Sequence, residues 1–219
     1  MYDLVLIDLD GTLTDPKLGI TRSYQIALAA FGIHEELEDL EKYIGPPLRD
    51  NFRETYGLSD ADIEKAVMIF REYFSVKGLL ENTVYPGIPE ALQKLKDNGK
   101  TLGVATNKVK VYSEQILEHF DLDKYFEFVS GDEMDSSLTR NGKRDIIRIA
   151  IEAIDPEHRM KAVMVGDRKH DIRGALDAGI DSIGITWGYG RRSELEEAGA
   201  TWIVDSLDEL CRLVIGKQG

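Results

Sequence analysis

The sequence predicts an α/β protein, a doubly wound parallel sheet with an all-helical insert after its first strand. Three observations carry that prediction. Residues 4–7, Leu-Val-Leu-Ile, are apolar on both faces, as a strand covered on both sides must be. Apolar runs of strand length recur after residue 100 and alternate with stretches of helical periodicity. That alternation implies right-handed crossovers between parallel strands. Between residues 17 and 80 no convincing strand occurs. Apolar residues fall there at helical spacing, as in Ile63, Ala66, Val67, Phe70 and Phe74.

The elements follow in order. The first strand ends in Asp8-Leu9-Asp10-Gly11-Thr12-Leu13-Thr14-Asp15. Two carboxylates this close repel each other unless a cation or a shared proton separates them, and Gly11 lets the backbone turn at once. Such an arrangement serves stability poorly and a metal-assisted site well. The insert, 16–85, is expected to hold three or four helices. Gly45-Pro46-Pro47 interrupts it, Tyr85-Pro86-Gly87 marks its exit, and the punctuation suits a hinge. Residues 1–15 and 86–219 then form the α/β core domain. A helix over 88–98 closes on Gly99 and leads into a second strand at 101–105. A weaker third strand is expected at 126–130, and a helical run from Lys143 to residue 153. The fourth and fifth strands, 161–165 and 180–185, flank a helix ending near Ala178-Gly179. A short strand at 201–204 precedes a last helix over 207–214 capped by Ser206.

Bulk properties narrow the function. A chain of 219 residues is long for one domain and short for two equal ones. A formal net charge of −13 speaks against a nucleic-acid partner, because phosphate backbones call for a basic surface. A small phosphorylated metabolite stays open, since local cations can overcome the global field. Cys211 is the single cysteine, which suggests a reducing compartment. No apolar leader follows Met1 and no run approaches bilayer length, so the expectation is a cytoplasmic protein with no membrane partner. Monomer and homodimer both remain open.

In open parallel sheets, ligands bind at the carboxyl ends of strands. Three strands here end in polar groups: Asp8; Thr106-Asn107-Lys108; and Gly166-Asp167-Arg168-Lys169-His170-Asp171. These residues suit phosphoryl transfer. Mg²⁺ prefers one or two carboxylates plus water and phosphate oxygens, and Asp8 and Asp167 can supply the carboxylates. Asp8 is the candidate nucleophile and Asp10 the candidate proton donor. Thr106 and Asn107 can donate to phosphate oxygens, and Lys143 can cover the remaining charge. Taken singly, each has a plain structural reading: a turn-entering acid pair, a threonine cap, a first-turn acid, solvated Lys143 and surface His170. Four such stretches in this order, each at a strand end or loop, argue against that reading.

With those residues in view, the chain resembles the haloacid-dehalogenase-like hydrolase superfamily, and within it the phosphoglycolate-phosphatase-like branch that carries a helical cap. DLDGTLTD at 8–15, ATNK at 105–108 and GDRKHDI at 166–172 are similar to its first, second and fourth motifs. The third is a lysine, often followed by proline. Lys143 is followed by Arg144 and preceded by Arg140, and Lys108 and Lys169 are the substitutes. The resemblance implies a Rossmann-like core and a Mg²⁺-dependent phosphatase of a small phosphomonoester. Asp8 would form an aspartyl-phosphate. Asp10 would serve as acid and then base, with its backbone carbonyl on the metal. Thr106 would bind the phosphoryl group, with Asn107 and Gly11 beside the substrate. Lys143 would neutralise charge, Asp167 would ligate Mg²⁺, and Asp171 would orient Lys143 or the metal's waters. The cap would close over the site, with the loop 43–49 entering it and Arg49 either holding an anionic group or lying on the surface. Gly188-Tyr189-Gly190-Arg191-Arg192 would border the cleft. A β-phosphoglucomutase-like mutase, a 5'-nucleotidase and a pyrophosphatase are alternatives on the same fold. A dehalogenase does not need Asp10, and a phosphonate hydrolase needs a cap lysine such as Lys42 or Lys65. A non-catalytic phospho-ligand-binding regulator would not need the full acid set, and a receiver-like domain would lack the insert.

Overall fold

The computed structural model describes residues 1–139 and 142–216. Arg140 lies outside the described residues. The strands are β1 (Leu4–Ile7), β2 (Thr14–Asp15), β3 (Thr83–Val84), β4 (Thr101–Val109), β5 (Phe128–Asp132), β6 (Ala162–Gly166), β7 (Asp181–Ile185) and β8 (Trp202–Val204). The helices are α1 (Lys17–Ala29), α2 (Leu48–Tyr56), α3 (Asp60–Tyr73), α4 (Ile88–Asp97), α5 (Lys110–His119), α6 (Arg144–Ile154), α7 (Lys169–Ala178), α8 (Arg192–Glu197) and α9 (Leu207–Ile215). The chain divides into two compact units: Met1–Thr14 with Val84–Gly219, and Asp15–Thr83.

The larger unit is an α/β domain. Six parallel strands run in the order β5-β4-β1-β6-β7-β8, flanked by helices, while β2 and β3 pair separately. β1 lies between β4 and β6, with Ile7 opposite both Val104 and Val165. All four of its residues are buried, which is why its sequence does not alternate. Leu4 and Leu6 pack with Met164, Ala175 and the Ile146, Ile147, Ala150 and Ile151 face of α6. Each buried leucine, isoleucine or methionine side chain contributes roughly 1.5–3 kcal/mol relative to exposure.

The later strands β6, β7 and β8 lie within one residue of the expectation, while β4 and β5 differ more. β5 begins at Phe128 rather than 126, because a 3₁₀ turn over Asp123–Tyr125 occupies the approach. It continues past Ser130 because Gly131 has no side chain. A Cβ there would lie 2.6 Å from the Lys108 carbonyl oxygen. β4 runs to Val109 rather than stopping at 105, and its register against β5 breaks between Ala105 and Val109. An irregularity of this kind keeps the chain extended while re-aiming its side chains.

The smaller unit is helical: α1, a 3₁₀ turn over Leu37–Tyr43, α2, α3 and a π turn over Phe74–Gly78. Ile63, Ala66, Val67 and Phe70 form the buried stripe of α3, and Phe74 is buried after it. The ring of Tyr24 packs against those of Tyr43, Phe52 and Phe70 at centroid distances of 5.1–5.4 Å. Ser59 caps α3 by accepting the Asp62 N–H. No helix among the described residues is long and apolar enough to cross a membrane.

Candidate active site

Sheet register brings the acids together. Asp8 follows Ile7, so it stands level with Ala105 and Gly166, with Thr106 and Asp167 one step further along the same edge. The Asp8 N–H still donates to the Val165 carbonyl at 2.9 Å, so the residue leaves the sheet only with its side chain. The backbone then turns at Gly11, with φ +83°. A Cβ at Gly11 would lie 2.5 Å from Asp167 Oδ2, so the close approach of the two loops requires glycine.

Lys143 immediately precedes α6 and is buried. Its Nζ lies 2.5 Å from Asp171 Oδ1 and 2.8 Å from Asp8 Oδ1, the latter a charge contact without the alignment of a hydrogen bond. Of the three lysines left open, Lys143 is the one at Asp8. Burial acts to lower its pKa, but Asp171 and Asp8 outweigh that and raise it. Asp171 also accepts the Arg168 N–H at 2.9 Å, so one carboxylate caps α7 and holds the lysine. Burial raises the pKa of Asp171, and Lys143 offsets part of the rise.

Lys108 is elsewhere. Its ammonium lies 2.5 Å from Asp10 Oδ2, with both side chains nearly inaccessible. Burial raises the Asp10 pKa, and Lys108 opposes the rise. The sequence offered a faint signal for this pair. Lys108 stands two residues after Thr106 in an extended stretch, where alternate side chains share a face. Thr106 is buried on that stretch, its Oγ1 accepting the Lys108 N–H at 3.2 Å, and Asn107 lies between them. Lys169 opens α7, and its N–H donates to Glu194. His170 is half-buried rather than on the surface. Burial, with Arg168, Lys169 and Lys143 nearby, lowers its pKa to about 4.

The acid cluster fits a hard divalent cation. Asp8, Asp167 and Asp171 each offer a carboxylate oxygen within 4.8 Å of the others. Oδ1 of Asp10 and Oδ1 of Asp167 are buried with no hydrogen-bond partner. Buried polar atoms in folded proteins are nearly always satisfied, so the bare Asp167 oxygen in this cluster calls for a ligand. An all-oxygen donor set suits Mg²⁺. Asp167 shows the strain of crowding: burial first, then the charges of Asp171 and Asp8, push its pKa up to about 8, against the Tyr189 N–H.

The remaining candidates lie in the helical unit. Arg49 is held by Glu64 through two bonds, Nε–Oε1 at 3.0 Å and Nη2–Oε2 at 2.8 Å. Lys42 and Lys65 are both exposed, with their ammoniums over the rings of Tyr43 and Phe31. Schiff-base lysines sit in desolvated pockets, and neither of these side chains is buried.

The chain is similar to known proteins along most of its length. A family described as haloacid dehalogenase-like hydrolase matches residues 5–185, a span that contains every acid and lysine of the cluster. A 5'-nucleotidase from Pseudomonas aeruginosa is 47% identical over 197 residues, covering 89% of this chain and 87% of that protein. The tyrosine-protein kinase PtkA from Mycobacterium tuberculosis is 37% identical over 210 residues, covering 94% of this chain and 70% of its own length. The crystal structure of a predicted phosphatase from Clostridium acetobutylicum is 45% identical, with a TM-score of 0.92 over 98% of this chain and 99% of that one. The chain therefore belongs to the haloacid dehalogenase-like hydrolase family.

Proposed function

We propose that the protein is a phosphatase that hydrolyses a small phosphomonoester through an aspartyl-phosphate on Asp8, with Mg²⁺ as cofactor. The observation that carries this reading is the buried meeting of Asp8, Asp167 and Asp171, with Lys143 on Asp8 and Asp171 and carboxylate oxygens left bare. Asp8, Asp167 and the backbone carbonyl of Asp10 would hold the ion. When bound, it supplies positive charge that lets a phosphate dianion approach the carboxylates.

The chain's own residues do the rest. An Asp8 oxygen attacks phosphorus, and the bond from phosphorus to the leaving oxygen breaks. Asp10 gives that oxygen its proton, then takes one from the water that attacks the aspartyl-phosphate and frees Asp8. Lys143 offsets negative charge on Asp8 and the incoming phosphate, and Asp171 holds Lys143 in place. Thr106 and Asn107 donate to the phosphoryl oxygens, and Lys108 holds the Asp10 carboxyl in its orientation. Arg49 would have to leave Glu64 to hold a substrate anion.

A nucleoside 5'-monophosphate is the substrate class supported by the 47% identical relative. Phosphoglycolate, suggested by the branch that the motifs resemble, comes second. The relative named as a kinase points to a different acceptor for the phosphoryl group. A phosphate-release panel of nucleoside 5'-monophosphates, phosphoglycolate, sugar phosphates and p-nitrophenyl phosphate tests the reading. Release is expected with Mg²⁺, and is expected to vanish with EDTA and in Asp8→Asn. Normal turnover by Asp8→Asn would refute the nucleophile. Phosphoryl transfer to an added hydroxyl compound without release of phosphate would refute hydrolysis.

A further inference from the structure

The segment 186–194, from the end of β7 into α8, bonds to both loops that carry the acids. The Trp187 indole N–H donates to the Thr12 carbonyl at 3.2 Å, in the turn just after Asp8 and Asp10. The Tyr189 backbone N–H donates to Asp167 Oδ2 at 2.7 Å. Glu194 Oε1 accepts both the Lys169 N–H and the Arg168 Nε–H, each at 2.9 Å, immediately after Asp167. The approach is too close for side chains: a Cβ at Gly188 would lie 2.5 Å from both Cβ and Oδ2 of Asp167.

The geometry has a purpose if the cluster holds a metal. Crowded carboxylates repel and tend to rotate apart. An N–H on Oδ2 of Asp167 fixes that carboxylate's rotation, while its Oδ1 is buried without a hydrogen-bond partner. Partners behind a metal ligand orient it in this way. β1 and β6 are paired through the sheet only as far as the strand ends, and 186–194 bridges the loops beyond them.

We propose that 186–194 is a clasp that sets Asp167 at metal-sharing distance from Asp8, with Trp187 and Glu194 as its positioning residues. This rests on the Mg²⁺ reading above. Trp187→Phe removes one donor and keeps the aromatic bulk. Glu194→Ala removes the acceptor, and Glu194→Gln keeps an oxygen for both donors.

The test is calorimetric titration of Mg²⁺ into metal-free wild type and the three variants, beside their metal-free melting temperatures. Trp187→Phe and Glu194→Ala are expected to bind Mg²⁺ about tenfold more weakly. Glu194→Gln should stay within about twofold of wild type, and all metal-free melting temperatures within about 4 °C. The Mg²⁺ concentration needed for half activity should rise in step, with the substrate KM at saturating Mg²⁺ unchanged. Wild-type affinity in both Trp187→Phe and Glu194→Ala would overturn the clasp, as would an equal loss in Glu194→Ala and Glu194→Gln. No uptake by wild type would instead overturn the metal reading beneath it. Should Glu194→Ala fail to fold, Trp187→Phe decides.

Discussion

Lys143 is a buried ammonium between two buried carboxylates, Asp8 and Asp171. Removing one member of such a group leaves charge in a dry interior, at a cost of about 3–5 kcal/mol. Lys143→Met is therefore expected to lose activity and to melt well below wild type, as thermal denaturation can show. Unchanged stability would mean that the ammonium is not paired as described. Asp167 supplies a prediction in pH. Its folded pKa, pushed up to about 8, exceeds the unfolded value, so the native state binds more protons between about pH 4 and pH 8. For this group, stability of the metal-free protein is fully present below that window and is lost as pH rises through it. Mg²⁺ competes with the same protons. The rise in melting temperature caused by Mg²⁺ should thus be larger at pH 8.5 than at pH 6, and the reverse order would remove Asp167 from the metal site.

At the scale of elements, the approach to α6 decides where Lys143 stands. Asp132, at the end of β5, accepts the N–H groups of Glu133, Leu138 and Thr139 on Oδ1 and the Thr139 hydroxyl on Oδ2. The Thr139 carbonyl in turn accepts the Gly142 N–H, one residue before Lys143. Asp132→Ala strands buried donors and should cost about 2 kcal/mol or more, read as a loss of at least about 4 °C in melting temperature. Asp132→Asn keeps most acceptors and should lose less, while equal losses would assign the role to charge. None of this was legible in the sequence, where Asp132 lies two residues beyond the weak strand expected at 126–130. The strand interiors were legible because apolar runs and helical periodicity are local. The ends of β4 and β5 were not. They depend on a 3₁₀ turn and on the close packing of Gly131 against the backbone at residues 108–110.

At the scale of the whole molecule, apolar packing holds the sheet and its core. Leu4, Leu6, Met164 and the apolar face of α6 hold β1 in place whether or not the acids beside it are compensated. EDTA is therefore expected to abolish activity while leaving the circular dichroism spectrum of the fold intact, and added Mg²⁺ should restore turnover. Unfolding by EDTA would make the metal a structural element instead.

Contiguous residues determined much by themselves: the buried first strand, the acid pair behind it, the glycine turn, the helical insert and the order of the motifs. Each is a short-range pattern, set by side-chain period and backbone freedom within a few residues. The sequence favoured Lys143, but tertiary structure alone decided that it and not Lys108 or Lys169 stands at Asp8, that Lys108 pairs with Asp10, and that Tyr189 and Glu194 brace the Asp167 loop. Those partners lie from about twenty to well over a hundred residues apart. A buried charge takes whichever partner strand register and packing bring within reach, and no local pattern encodes that distance.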